Sequence, residues 1–470
     1  MTMADRVEGA AWRDLLRRDT AASLALVCLG VWLHAADSLI VATMMPAIVA
    51  GIGGDHLVAW NFALYETGSI VIGAASGLIA IRHGLRRPMT IAALAFGVGC
   101  MVSALAPAMQ VMLAGRVLQG LGGGGLTALA FVSARRLFPA RLIPRVMASM
   151  SVIWGTSAFL GPLFGGLFVT YANWRTGFAV FGLQALGLAL WIWFGLAPAD
   201  APAADGKDKE RIPFRRLGLL SLAVLSVTYA GITATPGGMA GALSAGLTAL
   251  ALFARLDSQS AGDRLLPRRA FDPRDPVGAA LMMVLAVSIA TMGLSTYGPL
   301  LMALIHDTPP LLAGYVVATI SIAWTVGAVL SSGLAERHDP KIIAAGLCLI
   351  FASGVGLLYA VPNGPVGLIV IFAACEGLGF GLSWTFILRR GTRLIRTEDA
   401  DRFSAGLPTI SRLGYAFGAS AVGIFANAAG FSAGAGLDEA AHVARVIFAG
   451  SLPFAGIALL AMLRFVTART

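Results

Sequence analysis

Residues 115–136, GRVLQGLGGGGLTALAFVSARR, decide the fold, because Arg116 precedes an uncharged run that ends in two further arginines. No charge occurs from Val117 to Ala134, so this run is long and apolar enough to cross a membrane as a helix. Its glycines weaken a helix in water, but in lipid they let neighbouring backbones approach closely. An arginine within such a span needs a partner or a water-filled cavity. The stretch therefore predicts a close-packed spanning helix with one buried cation.

The composition extends this prediction to the whole chain. The 470 residues are 57% hydrophobic and 12% charged, with a mean hydropathy of +0.81. A soluble domain carries about twice that charged fraction. We therefore expect an all-α polytopic membrane protein. The four cysteines lie in apolar segments without metal-ligand spacing, so they are predicted to be small core residues rather than metal ligands.

The placement of the basic residues predicts the topology. The net charge of +10 comes mostly from Lys and Arg in the two ends of the chain and in alternate loops between fourteen apolar segments. This asymmetry follows the positive-inside rule, so both termini are expected in the cytoplasm. The expected location is the cytoplasmic (inner) membrane. The same asymmetry accounts for the positive net charge, so a nucleic-acid partner is not expected.

The apolar segments suggest four regions. A cytoplasmic tail (1–19) precedes an N-terminal six-helix bundle (20–197). A cytoplasmic linker (198–276) contains an inserted two-helix hairpin (217–254), and a C-terminal six-helix bundle with its tail follows (277–470). The placement of the basic loops fits twelve spans as well as fourteen, because a two-helix hairpin returns the chain to the same side of the membrane. The uncharged run over 217–254 is long enough for two short spans and therefore favours fourteen.

An internal repeat supports two similar halves. Gly120-Leu121-Gly122 recurs as Gly377-Leu378-Gly379, 257 residues later, and Arg82-His83 recurs as Arg337-His338, 255 residues later. The repeat also places Gln119 opposite Glu376, so the second half has its own mid-membrane carboxyl group.

The first span contains the most unusual polar cluster, HAADSLIVATMMP (34–46). Asp37 lies near the middle of the segment, and His34 lies one turn earlier on the same face. An ionisable residue at this depth is a functional-site hypothesis, here a carboxyl that takes up and releases a proton. The alternatives are an Asp37 permanently paired with a neighbouring helix and a His34 that only packs.

Glu66, in the second span, is another intramembrane acid and lies about 14 Å from the outer end at 1.5 Å per residue. Arg116 is expected at a similar depth, so depth alone predicts a Glu66–Arg116 pair that leaves Asp37 free. Arg412, in a late span, is a candidate cavity residue or an anchor bonded to helix-end carbonyls. The predicted proton-coupling residues are Asp37, Glu66, Arg116 and Glu376. The predicted substrate cavity comprises Trp32, His34, Asp37, Gln119, Glu376, Trp384 and Arg412.

Four stretches together resemble the Major Facilitator Superfamily, specifically its fourteen-span drug:proton antiporters. ADSLIVATMMPAI (36–48) resembles the Asp-containing first-span signature of that family, and GLIAIRHGLRRP (77–88) resembles the loop motif of the superfamily. GRVLQGLGGGG (115–125) resembles the fourth-span motif. SAFLGPLFGG (157–166), followed by NWRTGF (173–178), resembles the fifth-span motif that is associated with export. The resemblance implies alternating access of two six-helix bundles.

The resemblance also implies a set of gating and packing residues. These are Arg82, Gly120, Gly161, Pro162, Gly165, Gly166, Glu336 and Arg337. In the loop motif, Ile81 stands where the family has an acid, while the second-half copy has Glu336. This departure weakens the usual cytoplasmic charge latch of the first half. The alternative for Gly161-Pro162 is that these residues only allow two helices to cross closely. They would then say nothing about the direction of transport.

The predicted spans contain one more acid than arginine. This surplus suits a cavity that holds either a proton or a cationic, lipophilic substrate. The acids are Asp37, Glu66 and Glu376, and the arginines are Arg116 and Arg412. The expected function is therefore proton-coupled export of small compounds by a monomer. Export of a specific endogenous metabolite and proton-coupled uptake are the alternatives. The sequence has no nucleotide-binding glycine loop on a soluble domain and no His/Cys metal set, so we expect neither an enzyme nor a cofactor.

Overall fold

A computed structural model describes residues 12–15, 17–54, 57–196, 213–233, 235–260, 263–270, 272–431 and 436–468. Within these ranges, the regular structure is helical. Most of the predicted N-terminal tail and the first part of the predicted linker lie outside the described residues. The α-helices are α1 Trp12–Leu15, α2 Arg18–Ile52, α3 Val58–His83, α4 Arg86–Ala104, α5 Met109–Arg136, α6 Ile143–Tyr171, α7 Trp174–Gly195, α8 Phe214–Ile232, α9 Pro236–Gln259, α10 Pro276–Ala290, α11 Met292–His306, α12 Pro310–Ser331, α13 Asp339–Asn363, α14 Val366–Leu394, α15 Ala400–Ala428 and α16 Leu437–Thr467.

Twelve candidate membrane spans occur in the described residues, by length and composition. They are α2–α7, α9, α12–α14, α16 and the consecutive pair α10–α11. The helices α8 and α15 are not among the twelve, although both pack in the body of the molecule. Helix α8 pairs with α9 and also contacts α3, while α15 packs between α3 and α10. The count of fourteen spans therefore stays a prediction.

Helix packing repeats along the chain. In the N-terminal bundle, α2–α7, α2 packs on α6, α3 on α5, and α4 on both α5 and α7. In the C-terminal bundle, α10–α16, α10 packs on α15, α12 on α14, and α13 on both α14 and α16. The bundles meet where α3 packs on α15 and where α6 packs on α12. The functional side chains described below lie along these two seams and inside each bundle.

Glycines explain why the α3–α5 pair packs so closely. A Cβ on Gly120 would lie 2.2 Å from the Tyr65 backbone oxygen, and one on Gly124 would lie 2.3 Å from the Ser69 Cα. The C-terminal bundle repeats the arrangement, because a Cβ on Gly377 would lie 2.1 Å from the Ile320 oxygen. These contacts are the close backbone approach that glycine permits in spanning helices.

The first span of the C-terminal bundle is interrupted. The sequence predicts one apolar segment over 277–304, but α10 ends at Ala290 and α11 begins at Met292. At the break, the Thr291 hydroxyl donates to the Val287 carbonyl at 3.0 Å. Such a side-chain bond to the preceding turn competes with the helical backbone ladder and bends helices.

Candidate functional site

A buried ion pair joins α2 and α5. Arg116 Nη1 lies 2.6 Å from Asp37 Oδ2, and the two side chains are 0% and 2% exposed. Arg116 also donates to the Gln119 amide oxygen, and Gln119 Nε2 donates to Ser103 Oγ on α4 at 3.1 Å. The pair and its amide partner therefore tie three helices together inside the N-terminal bundle.

The predicted Glu66–Arg116 pair is wrong. Depth along a helix is fixed by the rise per residue, but facing direction is not, because successive residues turn by about 100°. Tyr65 is the residue that meets α5, at Gly120. Glu66 lies on another face of α3 with Gly73 and Gly77, both of which meet residues of α15. The carboxyl group of Glu66 therefore points away from Arg116.

Glu66 pairs with Arg412 instead. Arg412 Nη1, from α15, lies 3.1 Å from Glu66 Oε2, so this ion pair crosses between the bundles. The Glu66 side chain is 35% exposed and that of Arg412 is 11% exposed. The Arg412 guanidinium carbon also lies 5.8 Å from the ring centroid of Trp154 on α6. Arg412 is thus held by a carboxylate and an aromatic face of the opposite bundle rather than by helix-end carbonyls.

Tyr65 connects His34 with the Asp37–Arg116 pair. Its hydroxyl lies 2.6 Å from His34 Nδ1, and its ring lies 4.2 Å from the Arg116 guanidinium carbon. An arginine over an aromatic face is stabilised by the ring quadrupole. Tyr65 is not among the site residues predicted from the sequence, although its position beside Glu66, in the span before the glycine-rich helix, is an available signal. His34 is fully buried, and the ring of Trp154 lies 6.0 Å away.

The remaining predicted cavity residues lie elsewhere. Trp32 packs in the N-terminal bundle, where its indole nitrogen donates to Gln184 Oε1 at 3.3 Å and its ring contacts Phe164 and Phe181. Trp384 lies where α14 meets α5, with its ring 6.3 Å from that of Phe131. Glu376 lines a small cavity inside the C-terminal bundle. The structure therefore brings together His34, Asp37, Arg116 and Gln119, with Glu66 and Arg412 on the adjoining seam.

One end of the molecule, here termed the basic end, carries the basic C-terminal turns of α3, α5 and α14. There Arg135 and Arg136 of α5 form ion pairs with Asp401 at the start of α15, and Arg136 Nε donates to Asp401 Oδ2 at 3.0 Å. These contacts join the two bundles. The loop motif has Ile81 in place of an acid, and Asp401 of the opposite bundle is the acid that pairs with Arg135 and Arg136 at this end.

The second copy of the loop motif forms contacts within its own bundle. Arg393 of α14 lies 2.6 Å from Glu336 and 2.7 Å from Asp339, and Arg389 pairs with Asp339. Arg337 is exposed. In the first copy, Arg82 ends α3 together with His83. The two copies are therefore not equivalent in their ion pairs.

The fifth-span glycines of α6 face α2. A Cβ on Gly161 would lie 2.6 Å from Leu39 Cβ, and one on Gly165 would lie 2.8 Å from Thr43 Cβ. Gly166 has open space around its Cβ position. The side chain of Pro162 lies outside the described part of the chain. Gly161 and Gly165 thus bring α6 against the helix that carries Asp37.

The chain matches known transporters over most of its length. Residues 27–419 match the Major Facilitator Superfamily profile. A protein of Mycobacterium tuberculosis named a probable multidrug-efflux transporter is 30% identical over 431 residues, which are 90% of this chain and 91% of the relative. A multidrug resistance protein B homolog from the same organism is 29% identical over 74% of this chain and 65% of its own length.

A solved structure has the same fold. The crystal structure of the human organic anion transporter MFSD10 (TETRAN) aligns with a TM-score of 0.66 at 14% identity, and it covers 95% of this chain and 99% of that one. At this identity the likeness shows the fold alone. The helical architecture, the family match and the relatives agree, so this chain belongs to the Major Facilitator Superfamily and is a multi-pass membrane transporter rather than an enzyme.

Proposed function

We propose that this protein is a proton-coupled exporter of small lipophilic or cationic compounds. The observation that carries the proposal is the buried Asp37–Arg116 pair beside the Glu66–Arg412 pair that crosses the bundles. Ionisable groups at such depth are expensive and mark ion or proton pathways in transporters. The name of one relative, a probable multidrug-efflux transporter, supports the direction of transport.

Asp37 is the proposed site of proton exchange. A proton on Asp37 removes its charge and ends the ion pair with Arg116, while loss of the proton restores the pair. Arg116 keeps two other contacts whether or not Asp37 is protonated. Its guanidinium group lies over the ring of Tyr65, and its Nη1 donates to the amide oxygen of Gln119. A cationic substrate that approaches Asp37 competes with the same proton, which is the condition for exchange rather than cotransport.

Alternating access requires the seams between the bundles to open in turn. The Asp401 ion pairs close the basic end, and Thr325 Oγ1 of α12 donates to the Ser151 carbonyl of α6 at 2.9 Å. Halfway along the molecule, Glu66 and Arg412 join α3 and α15. In the proposed cycle, protonation of Asp37 or Glu66 alters the charge balance at this central seam, and the basic end then opens.

The proposed topology follows from charge. The basic end faces the cytoplasm by the positive-inside rule, and both termini lie on that side of the inner membrane. Helices α8 and α15 complete fourteen spans, with α8 and α9 as the inserted hairpin. The functional unit is a monomer, with protons and small molecules as its partners.

The experiment is an accumulation assay in bacteria that lack their own efflux pumps. Cells expressing this chain should accumulate less of a fluorescent lipophilic cation, and a protonophore should abolish the difference. Cells that express the Asp37→Asn variant at the same membrane level should accumulate as much of the cation as cells without the transporter. Asp307→Asn is the matched control, because Asp307 is exposed in a left-handed turn that asparagine tolerates. Full export by Asp37→Asn would refute the assignment of Asp37.

A further inference from the structure

A second acidic site lies inside the C-terminal bundle, away from Asp37. Glu376 of α14 lines a cavity bounded by the α10–α11 break, α13 and α16. The polar side chains of its wall are Thr291, Glu376 and Ser451, which are 8%, 3% and 7% exposed. The rest of the wall is apolar or glycine.

The internal repeat shows what is unusual about this acid. Gly120 and Gly377 make equivalent close contacts with α3 and α12, so the offset of 257 residues holds in three dimensions. By that offset, Glu376 stands where the N-terminal bundle has Gln119, and Ala373 stands where it has Arg116. The amide has become an acid while its cationic neighbour has been replaced by a methyl group.

The charged groups of the surrounding helices do not neutralise Glu376. Helices α10 and α12 contain no charged residue, and α6 has only Arg145, in its first turn. The charges of α11, α13 and α14 other than Glu376 lie within two turns of a helix end, as do Asp438, Glu439, His442 and Arg464 of α16. Arg445 of α16 donates to Asn363 at 3.3 Å.

Helix α15 carries Asp401 and Arg402 in its first turn, and Arg412 and Tyr415 further along. Tyr415 is within electrostatic range of Glu376, and Arg412 is paired with Glu66. In the described part of the chain, no arginine or lysine forms an ion pair with Glu376. A carboxylate buried without a cation costs several kcal/mol, so the group binds a proton or a small cation.

The hydroxyl groups in the cavity wall decide between these ligands. The Thr291 hydroxyl donates to the Val287 carbonyl at 3.0 Å, and the Ser451 hydroxyl donates to the Ile447 carbonyl at 2.9 Å. Because both hydroxyl protons are bound to the helix backbone, both oxygens present lone pairs to the cavity. Such lone pairs accept from the O–H of a protonated carboxyl group and repel a carboxylate. They could also bind a metal cation, but hard cations such as Ca²⁺ and Mg²⁺ take about six or more oxygen ligands, and the side chains of this wall offer one carboxyl group and two hydroxyl groups, which favours the proton.

We propose that Glu376 is a second proton-binding site, enclosed in the C-terminal bundle and separate from Asp37. The site deepens the proposed function and rests on it, because it adds one proton to each transport cycle. Its position against the α10–α11 break places proton exchange beside a bend in the first helix of the bundle. Opening of that bend admits water to Glu376, and closing it retains the proton.

The test uses the purified full-length protein with Glu376→Gln. The chain carries glutamine at the equivalent position 119, so the substitution suits the site, and thermal unfolding checks that the variant folds. Glu439→Gln, at an exposed acid of α16, is the matched control. Infrared difference spectra over a pH titration should show the carbonyl stretch of a buried protonated carboxyl group in the wild type and in Glu439→Gln. Asp37 is a second buried carboxyl group and contributes a carbonyl stretch of its own. Glu376→Gln should therefore lose one component of the signal and keep the component that Asp37→Asn removes.

The second readout is the number of protons moved per substrate in proteoliposomes. We expect it to fall by one in Glu376→Gln and to stay unchanged in Glu439→Gln. An unchanged ratio together with an unchanged infrared signal would overturn the second site while leaving the proposed antiport intact. Transport that requires sodium and moves no protons would overturn both. A wild type that moves no protons, while Glu376→Gln loses its infrared component, would overturn the proposed antiport and the added proton per cycle but would still show that Glu376 binds a proton.

Discussion

Replacement of Asp401 by asparagine should open the basic end of the transporter. Asp401, at the start of α15, binds Arg135 and Arg136 of α5, and these contacts hold the two bundles together. The substitution keeps the size of the side chain and removes its charge. It therefore tests the ion pairs without creating a cavity.

The magnitude follows from the surroundings of the pairs. A hydrogen bond to a charged group contributes about 1.5–3 kcal/mol when buried. Arg135 and Arg136 are 25% and 20% exposed, so solvent screens part of this energy, while Asp401 is 7% exposed. We expect a loss of about 1–3 kcal/mol from the closed state, which is a shift of about 5–150-fold in the ratio of closed to open molecules.

The assay is a distance measurement between two spin labels across the basic end. Arg141 and Glu398 are both exposed and lie in opposite bundles, so cysteines at these positions can carry the labels. The four native cysteines are replaced beforehand. Asp401→Asn should increase the population at the longer distance, and Asp307→Asn should not. An unchanged distance distribution in Asp401→Asn would refute the assignment of these ion pairs as the closure of the basic end.

Three further predictions concern packing and the polar network. Gly120→Ala should lower the free energy of unfolding by about 1–3 kcal/mol in thermal unfolding, because the added Cβ would meet the Tyr65 carbonyl. Gly166→Ala, where the Cβ has open space, should be neutral, and equal unfolding midpoints for the two variants would contradict the packing argument. Tyr65→Phe keeps the ring over Arg116 but removes the bond to His34, so substrate export should fall while the protein remains folded; wild-type export would show that the bond is dispensable. Asp257→Asn removes the charge that faces the buried Arg216 at 2.8 Å, while Asp263 keeps its contact with Arg216, so thermal unfolding should show a loss of about 1.5–3 kcal/mol; a loss below about 1 kcal/mol would show that Asp263 alone suffices.

The polar pairing could not be predicted as well as the helices. Asp37, Glu66, Arg116 and Arg412 were identified from the sequence because charges are rare in apolar segments. Their partners were not, since a similar depth for Glu66 and Arg116 pointed to a pair that the structure does not contain. The partner of Arg116 depends on which face of α3 meets α5, and that face is set by glycine contacts between helices.

The basic end gives a second example. Ile81 in place of an acid indicated a weakened latch, and the loop itself held no sign of a replacement. Asp401 lies more than 300 residues away in the chain, and only the packing of α3 and α5 on α15 brings it to Arg135 and Arg136. The α10–α11 break is similar, because a continuous apolar run shows no interruption at Thr291.

The sequence by itself determined that this chain is a helical membrane protein with an internal repeat, and its motifs identified the superfamily. These properties depend on composition and on contacts within one helix, which are local. Only the packing of the helices shows which charges pair, which ion pairs join the two bundles, and what surrounds Glu376. Those properties depend on the order and rotation of helices that are far apart in the chain, which the rise per residue does not specify.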